Sequence, residues 1–345
     1  MVGMVLFLWH LGTERKRYMK YTELLSPEMQ QTLADAGYET PTPIQAQSLE
    51  TLLDGRDLIG IAQTGTGKTA AFAVPIIEKI NPENRKPQAL ILCPTRELAL
   101  QTTAVFKKLS QHKKMRTVSI YGGQSPHVQI QALRGGAQVV VGTPGRVKDL
   151  IGQNALKLSN IRYVVLDEAD EMLDFGFLPD IKWILSTIPD ERQMMLFSAT
   201  MSKEISGIAQ SYLTKPQTVE VGERNEPTRT VRQMSINTPE SGKITTVNFL
   251  MKETDPRLTL IFCNTRNRVK TVTKKLNDGG LASACIHGDL SQSQRNAIMR
   301  DFRAGKTPVL VATDVAARGI DVDNIDLVIN YDVPDKPEYY VHRIG

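Results

Sequence analysis

Short, continuous apolar runs recur along this chain, and they constrain its fold more than any other feature. In the first part of the chain they lie at 57–62, 89–94, 138–143, 163–168 and 193–200. Runs of this length without polar alternation are typical of strands that are buried on both faces of a parallel sheet. Helix-like stretches lie between them, as at Arg96 to Leu109 and Val128 to Leu133. This alternation predicts a doubly wound α/β domain.

The pattern breaks at 222–230, where a polar, charged segment containing Pro227 is typical of a linker. Beyond it the alternation resumes, with apolar runs at 258–265, 284–288, 307–313 and 325–330. A length of 345 residues also favours two domains over one. We therefore predict α/β domains over 19–221 and 231–345, joined by this linker.

The composition excludes several classes of protein. Hydrophobic residues make up 41% and charged residues 23%, which excludes a collagen, a disordered tail protein and a disulfide scaffold. The 42 basic and 37 acidic residues give a net charge of +5, which favours a polyanionic partner. The three cysteines have no CxxC spacing and indicate small core residues in a reducing compartment, which we expect to be the cytoplasm.

The segment 1–18 does not fit a globular domain. Its apolar run, 2–9, is much shorter than the roughly 20 residues of a bilayer span and lacks the flanks of a signal peptide. The charged residues 14–17 can all be encoded by purine-only codons, as in a bacterial ribosome-binding site. We expect Met19 to be the native start and 1–18 a non-native leader; a short amphipathic anchor is the alternative.

A phosphate-binding loop is the strongest local motif. AQTGTGKT (62–69) follows an apolar run and opens a helix-like stretch, which is the setting that a P-loop requires. Its glycines let backbone N–H groups surround phosphate oxygens at a helix N-terminus. Lys68 supplies a positive charge to the β- and γ-phosphates, and Thr69 a hydroxyl to Mg²⁺. Ala62 stands where the strict pattern has glycine.

A second motif, Asp167-Glu168-Ala169-Asp170, ends another apolar run. The Asp167 carboxylate at that place can hold Mg²⁺ opposite the P-loop, and the neighbouring Glu168 can polarise water for attack on the γ-phosphate. Adjacent acidic residues at a strand end are common on protein surfaces, so this motif alone is weak. Together with the P-loop it indicates an enzyme that hydrolyses a nucleoside triphosphate.

From about Tyr21 to Gly345 the chain resembles the DEAD-box RNA helicases, and within that family its sequence most resembles bacterial RhlE-like members. Besides the P-loop and DEAD, the matching segments are GYETPTPIQ (37–45), PTRELA (94–99), the GG turn (122–123), TPGR (143–146), SAT (198–200), LIFCNTR (260–266), Gln292 with Arg295, ATDVAARGID (312–321) and HRIG (342–345). In the family the Gln45 amide reads adenine and an aromatic residue, here Tyr21, packs on its ring. The resemblance therefore implies ATP.

The resemblance assigns roles to individual residues. It implies catalysis by Glu168, Lys68 and Asp167, with Thr69 and Asp167 at Mg²⁺. The implied nucleotide contacts are Tyr21, Gln45, Thr64, Gly65, Thr66, Gly67, Lys68, Thr69 and Asp321. The implied RNA contacts are Pro94, Arg96, Gly122, Gly123, Thr143, Arg146, Thr313 and Gly319. Residues implied to couple the two sites are Asp170, Ser198, Thr200 and His342.

The implied architecture is α/β, with two RecA-like parallel-sheet domains in tandem, the second incomplete. The implied activity is RNA-stimulated ATP hydrolysis with Mg²⁺. It would unwind short RNA duplexes locally or remodel RNA–protein complexes as the cleft closes. RNA would be held by its backbone without sequence specificity, and no membrane is implied. No motif identifies a protein partner in RNA degradation or ribosome assembly.

The family's motif VI normally continues Arg-Thr-Gly-Arg after HRIG, where this sequence stops at Gly345. Arginines that reach the γ-phosphate are worth about 10³ to 10⁵ in rate. We therefore expect severely reduced hydrolysis by the chain as written, and a catalytically silent ATP-dependent RNA clamp is the alternative function. A helicase that translocates on DNA is a second alternative, against which the Q motif and the DEAD spelling argue.

Overall fold

The structure, a computed structural model, describes residues 23–63, 65–221, 231–317, 322, 325–334, 339–340 and 343. The side chains of Gln292 and Val315 are also left undescribed. The proposed leader (1–18), the linker (222–230) and the site residues Tyr21, Thr64, Gly319, Asp321 and His342 lie outside the described residues. Backbone contacts divide the chain into two compact units, Met1–Gly222 and Glu223–Gly345.

Unit 1 contains a seven-stranded sheet whose described pairings are all parallel. Its strands are β1 (Leu58–Ala62), β2 (Ala89–Leu92), β3 (Thr117–Ile120), β4 (Val139–Gly142), β5 (Tyr163–Leu166), β6 (Gln193–Ser198) and β7 (Gln217–Val221). They lie in the order β3-β4-β2-β5-β6-β1-β7. Its helices are α1 (Pro27–Asp35), α2 (Pro43–Leu53), α3 (Lys68–Lys79), α4 (Arg96–Leu109), α5 (Pro126–Arg134), α6 (Pro144–Gly152), α7 (Ala169–Asp174), α8 (Leu178–Ser186) and α9 (Lys203–Tyr212).

Helices cover both faces of this sheet, which is why its central strands are apolar without interruption. Residues of β2 point alternately into two separate hydrophobic clusters, Ala89 and Ile91 into one and Leu90 and Leu92 into the other. Packing is close enough that a Cβ on Gly60 of β1 would lie 2.5 Å from the ring of Phe197. The prediction of a doubly wound parallel sheet is confirmed for unit 1.

Unit 2 has a smaller parallel sheet with four described strands in the order β11-β8-β10-β9. These strands are β8 (Thr259–Phe262), β9 (Ser283–Ile286), β10 (Val309–Ala312) and β11 (Leu327–Asn330). Its helices are α10 (Lys243–Thr254), α11 (Arg266–Asp278), α12 (Gln292–Arg303) and the short α13 (Asp314–Ala317), and a single 3₁₀ turn spans Glu240–Gly242. Two α/β units with parallel sheets agree with the predicted fold class.

Local sequence signals explain where several helices begin. Ser26, Thr95, Ser202, Thr265 and Ser291 each accept a hydrogen bond with the side-chain oxygen from a backbone N–H in the first turn. Such N-caps satisfy donors that have no partner within the helix. Among the described residues, none of the helices combines the length and the apolar character that crossing a bilayer requires.

Candidate functional site

The motifs of unit 1 follow its strands directly, so they meet at the carboxyl edge of one sheet. The P-loop follows β1, PTRELA follows β2, the GG turn follows β3, TPGR follows β4, DEAD follows β5 and SAT includes the end of β6. In open α/β sheets this edge is where ligands bind. The sheet therefore gathers segments that are far apart in the sequence.

The P-loop turns sharply between β1 and α3. Gly65 and Gly67 have φ angles of +75° and +87°, a left-handed conformation that residues with a side chain rarely adopt. Gly67 is also the N-cap of α3, so the first N–H groups of the helix open onto the loop. Lys68 is buried, and its Nζ donates to the Ala62 carbonyl oxygen at 3.1 Å. Thr66 Oγ1 donates to the Gln63 carbonyl oxygen at 2.7 Å.

Gln45 is buried against this loop. Its Nε2 donates to the Gly67 carbonyl oxygen at 3.1 Å, and its Oε1 accepts from the Thr42 N–H at 3.0 Å. A Cβ on Gly67 would lie 2.5 Å from Gln45 Nε2, so only glycine permits this contact. The structure thus joins the Q motif to the P-loop, while the predicted reading of adenine by Gln45 stays a prediction.

Asp167 and Glu168 occupy different environments although they are neighbours. Asp167 is buried, and desolvation raises the pKa of its carboxyl to about 7 although Lys68 opposes the shift. Glu168 is half-buried and has a φ of 52°, a left-handed conformation that is strained for a residue with a side chain. The strand end thus holds one desolvated carboxylate followed by a less buried one on a strained backbone.

The residues present fit a Mg²⁺ ion that accompanies a nucleotide. Asp167 Oδ1 is buried and has no hydrogen-bond partner in the described structure, which leaves an oxygen ligand available. Thr69 follows Lys68 in the first turn of α3 and adds a hydroxyl. The described residues contain no group of three or more His, Cys, Asp or Glu side chains placed to hold a metal. Magnesium sites of one or two carboxylates completed by phosphates and water need no such group.

Asp170 connects the DEAD segment to SAT. Its Oδ2 accepts hydrogen bonds from Ala199 N, Thr200 N and Thr200 Oγ1 at 3.1, 2.9 and 3.1 Å. Ser198 is fully buried, and its hydroxyl has no partner in the described structure. The carboxylate therefore ties the ends of β5 and β6 together, as a coupling residue would.

The predicted RNA contacts of unit 1 lie along the same edge. Pro94 is buried directly after β2, and the Arg96 guanidinium stacks over the Tyr121 ring with 4.4 Å from its carbon to the ring centroid. Gly122 and Gly123 form an exposed turn after β3. Thr143 is half-buried at the N-cap of α6 and makes no side-chain cap hydrogen bond.

Arg146 is held inside this surface. Its Nη1 donates to the Gln124 carbonyl oxygen at 3.0 Å and to Gln129 Oε1 at 3.1 Å. Gln129 is buried, and its Nε2 donates to the Tyr121 carbonyl oxygen at 2.9 Å. Arg146 therefore supports the GG turn from below through Gln129, while its direct contact with RNA stays a prediction.

In unit 2 the predicted RNA contact Thr313 is buried at the end of β10. Its carbonyl oxygen accepts hydrogen bonds from the Ala316 and Ala317 N–H groups in the first turn of α13. Arg295 Nη2 donates to the Ala316 carbonyl oxygen at 2.6 Å and so holds the other end of α13. The buried guanidinium of Arg343 contacts Asp314 through Nε at 2.5 Å and Nη2 at 2.7 Å. Its other acceptors are Asn264 Oδ1, Asn330 Oδ1 and the Asp332 carbonyl oxygen.

Sequence reasoning missed Gln129 and Arg343 as organising residues. Gln129 stood in a helix-like stretch with no motif around it, so no local signal indicated its role. Arg343 stood in motif VI, but His342 was singled out there instead. The partners of Arg343 are Asp314, Asn330 and Asp332, which lie at different distances along the sequence. No motif links them to Arg343, so the sequence alone did not indicate that they meet.

Two family models match the chain. The DEAD/DEAH box helicase model matches residues 42–208, and the helicase conserved C-terminal domain model matches 242–345. The chain belongs to the DEAD-box RNA helicase family. It is 45% identical over 321 residues to the DEAD-box ATP-dependent RNA helicase CshA of Bacillus subtilis, covering 93% of this chain and 65% of that protein. The match to CshA of Streptococcus pneumoniae is 46% over 328 residues, covering 95% and 63%.

The chain thus spans slightly less than two thirds of the length of these relatives. Among solved structures it is similar to Dbp5 of S. cerevisiae bound to RNA and ADP BeF3, with a TM-score of 0.84 and 33% identity, covering 94% of this chain and 85% of that one. A DEAD box protein of Methanococcus jannaschii is 40% identical with a TM-score of 0.57, covering 93% and 87%. The narrower likeness to RhlE-like members stays a prediction.

Proposed function

We propose that this chain is the core of an ATP-dependent RNA helicase whose ATP hydrolysis is stimulated by RNA. The observation that carries the proposal is the buried Asp167 carboxylate, with an unpartnered oxygen beside Lys68 at the mouth of the P-loop. Lys68 and the N-terminus of α3 would bind the phosphates of ATP, and Asp167 with Thr69 would hold a Mg²⁺ ion that neutralises phosphate charge.

Glu168 is proposed to orient the attacking water. It is half-buried directly after the desolvated Asp167, so a second carboxylate is available beside the proposed metal ligand to accept a proton from water. Asp170 is proposed to transmit the state of this edge to SAT through three hydrogen bonds, one from Ala199 and two from Thr200. The exposed GG turn and Arg96 are proposed to contact RNA phosphates, which carry no base information. The substrate class is therefore RNA bound by its backbone.

The test measures ATP turnover by the 345-residue chain with RNA, with DNA of the same sequence, and with no nucleic acid. RNA-stimulated turnover that Glu168→Gln abolishes supports the proposal. The same conservative change at the exposed residue Glu253 of α10 is the matched control and leaves turnover unaltered. Equal stimulation by DNA, or unwinding that persists on long duplexes, would favour the DNA-translocating alternative.

A catalytically silent RNA clamp stays the alternative proposal for this 345-residue polypeptide, and reduced hydrolysis is part of that proposal. The measurement that separates the two is binding of a fluorescent ATP analogue beside turnover. A clamp binds the analogue and RNA together with no release of phosphate, whereas a helicase releases phosphate in the presence of RNA. Cytoplasmic localisation is likewise proposed, from the cysteine usage of the sequence.

A further inference from the structure

Basic side chains gather at the edge of the unit 1 sheet that faces away from the P-loop and DEAD. The loops at 81–88, 110–116, 134–138 and 157–162 lead into four neighbouring strands, β2, β3, β4 and β5. They carry the exposed residues Arg85, Lys86, Lys114, Arg116, Arg134, Lys157 and Arg162, which we call the amino-edge basic surface. Glu83 is the only carboxylate side chain in these loops. Neighbouring strands lie about 4.8 Å apart, so the four loops lie side by side along this edge.

Two arginines of this surface converge on one oxygen atom. Arg85 Nη2 and Arg116 Nη1 donate to the Gly135 carbonyl oxygen at 2.6 and 2.5 Å. No carboxylate forms an ion pair with either guanidinium in the part of the chain that the structure describes. Two like charges this close repel each other, and an anion placed between their free N–H groups would relieve the repulsion. The planar forks of two arginines suit a phosphate group.

The loops beneath this surface are fixed by buried glutamines. Gln138 Nε2 donates to the Pro82 carbonyl oxygen at 2.7 Å, and its Oε1 accepts from the Arg116 N–H at 2.9 Å. Gln88 Nε2 donates to the Asn81 carbonyl oxygen at 2.7 Å. Both glutamines are buried. The guanidiniums are therefore presented by a rigid base, which lowers the entropy cost of binding.

Gly135 and Gly136 leave room for the two arginines. A Cβ on Gly135 would lie 2.6 Å from Arg116 Nη1, and one on Gly136 would lie 2.9 Å from Arg85 Nε. Gly136 also has a φ of +87°. The guanidiniums thus pack directly on glycine backbone, and the pair is built into the fold of this turn.

The chemistry of the surface favours a nucleic-acid backbone over a protein. None of the exposed large hydrophobic side chains in the described structure lies in these four loops. Protein interfaces bury apolar anchors at their centre, whereas phosphodiester contacts need cations in a row. Further along the same edge the cations are neutralised, since Arg56 pairs with Asp54 and Arg192 with Asp190, each at 3.6 Å. In the described part of this edge, the exposed cations without an ion pair lie in the loops before β2 to β5, with Lys215 before β7 as the single addition.

We propose that the amino-edge basic surface binds the phosphodiester backbone of RNA that extends beyond the segment held at the carboxyl edge. This inference rests on the proposed function, because that function brings the RNA to unit 1. The contact is independent of base sequence and adds affinity for long RNA without taking part in ATP hydrolysis. It gives the helicase a second hold on RNA that flanks the strand being remodelled.

The test measures the affinity of the full chain for two RNAs. One is the shortest single strand that binds in the presence of an ATP analogue, and the other is the same strand with long single-stranded extensions. The triple variant Arg85→Gln, Arg116→Gln, Arg162→Gln is expected to bind the extended RNA about tenfold more weakly. The slope of log affinity against log salt falls by about 2, since each lost phosphate contact contributes about 0.7. Affinity for the short RNA, and turnover with it, stay unchanged.

The matched control removes the same charge away from this edge, with Lys182→Gln, Lys252→Gln and Lys274→Gln at exposed helix positions, and is expected to change affinity less than twofold. A triple Arg→Lys variant at 85, 116 and 162 keeps the charge and retains most of the affinity for extended RNA. Thermal unfolding of each variant separates misfolding from lost contacts.

Extended RNA that binds the triple Gln variant as tightly as the unaltered chain overturns the proposal. Poly-glutamate that binds the unaltered chain tightly, while extensions add no affinity for RNA, also overturns it in favour of an acidic protein segment. Failure of the proposed function has a different signature, because then neither RNA stimulates ATP turnover. Binding of extended RNA is measured directly and decides this proposal in either case.

Discussion

At the scale of single residues, Asp167 places function and stability in opposition. Burial raises the pKa of its carboxyl from the ordinary value of 3.8 to about 7. Because the pKa of this carboxyl is higher in the folded state than in the unfolded state, its stabilising contribution is fully present below pH 4. That contribution is lost as the pH rises through 7. Asp167→Asn keeps the shape without the charge. We expect it to make the free energy of unfolding of unit 1 less dependent on pH, by at most about 4 kcal/mol between pH 4 and 8.

Urea unfolding of both proteins at a series of pH values measures this difference. Without nucleotide, the Asn variant is expected to be the more stable protein at pH 8 and equal at pH 4. It is also expected to lose ATP turnover. Glu83→Gln, at an exposed loop position, is the matched control and follows the unaltered chain. A parallel pH dependence in Asp167→Asn and the unaltered chain would contradict the prediction.

Gln129 gives a second prediction at this scale. Its amide contacts Tyr121, Gln124 and Arg146, so Gln129→Met leaves buried polar groups without partners. Each such group costs about 1 to 3 kcal/mol, and we expect unit 1 to lose about 2 kcal/mol. The exposed GG turn loosens, so RNA affinity falls while ATP affinity stays the same. Gln131→Met, exposed on the same helix, is the control for equilibrium binding and urea unfolding.

At the scale of elements, the central strands were predictable because burial on both faces makes them apolar throughout. The predicted run at 89–94 contains β2 (Ala89–Leu92), and the helix-like stretch at Arg96 to Leu109 matches α4. The edge strands β3 and β7 were not among the runs. In β7, Thr218 and Glu220 are exposed and alternate with apolar residues because this edge strand is less covered. In β3, Thr117 and Ser119 also alternate with apolar residues, although three of the four residues of this strand are buried.

The local motifs of the site could be recognised in the sequence, whereas its long-range contacts could not. The P-loop and DEAD are local, since their chemistry requires residues at fixed spacing after a strand. The contacts of Asp170 with Thr200, and of Gln129 with Tyr121 and Arg146, join residues that are distant in the chain. Periodicity does not report which polar side chains meet across a sheet edge. Those contacts could be found only from the fold.

Close packing of β1 gives a prediction for an element. Gly60→Ala would place a Cβ 2.5 Å from the Phe197 ring, so strand or ring must move. Overpacking of this kind costs about 1 to 3 kcal/mol. Gly207→Ala, inside α9 with nothing within 4 Å of the added Cβ, is the contrasting control. It is expected to stabilise unit 1 by about 0.5 to 1 kcal/mol, and calorimetry that ranks the two variants in the opposite order would sink the prediction.

At the scale of the whole molecule, each unit has its own sheet and its own hydrophobic clusters. Each should therefore respond separately to a change in its core. The buried guanidinium of Arg343 is the clearest place to test this, because it joins the ends of β8 and β11 to α13 through Asn264, Asn330 and Asp314.

Arg343→Gln removes this hub and leaves the Asp314 carboxylate without its cation. Breaking a buried ion pair from one side costs about 3 to 5 kcal/mol, and we expect a loss near the lower end for unit 2 because Asp314 is partly exposed.

Hydrogen exchange resolved along the chain should show faster exchange in β8, β10 and β11 and unchanged protection in β1 to β7. Arg300→Gln, an exposed arginine of α12, is the control. Since α13 directly follows Thr313, the same variant should weaken RNA binding while affinity for an ATP analogue at the P-loop persists. Equal loss of protection in both units would mean that they unfold as one cooperative body.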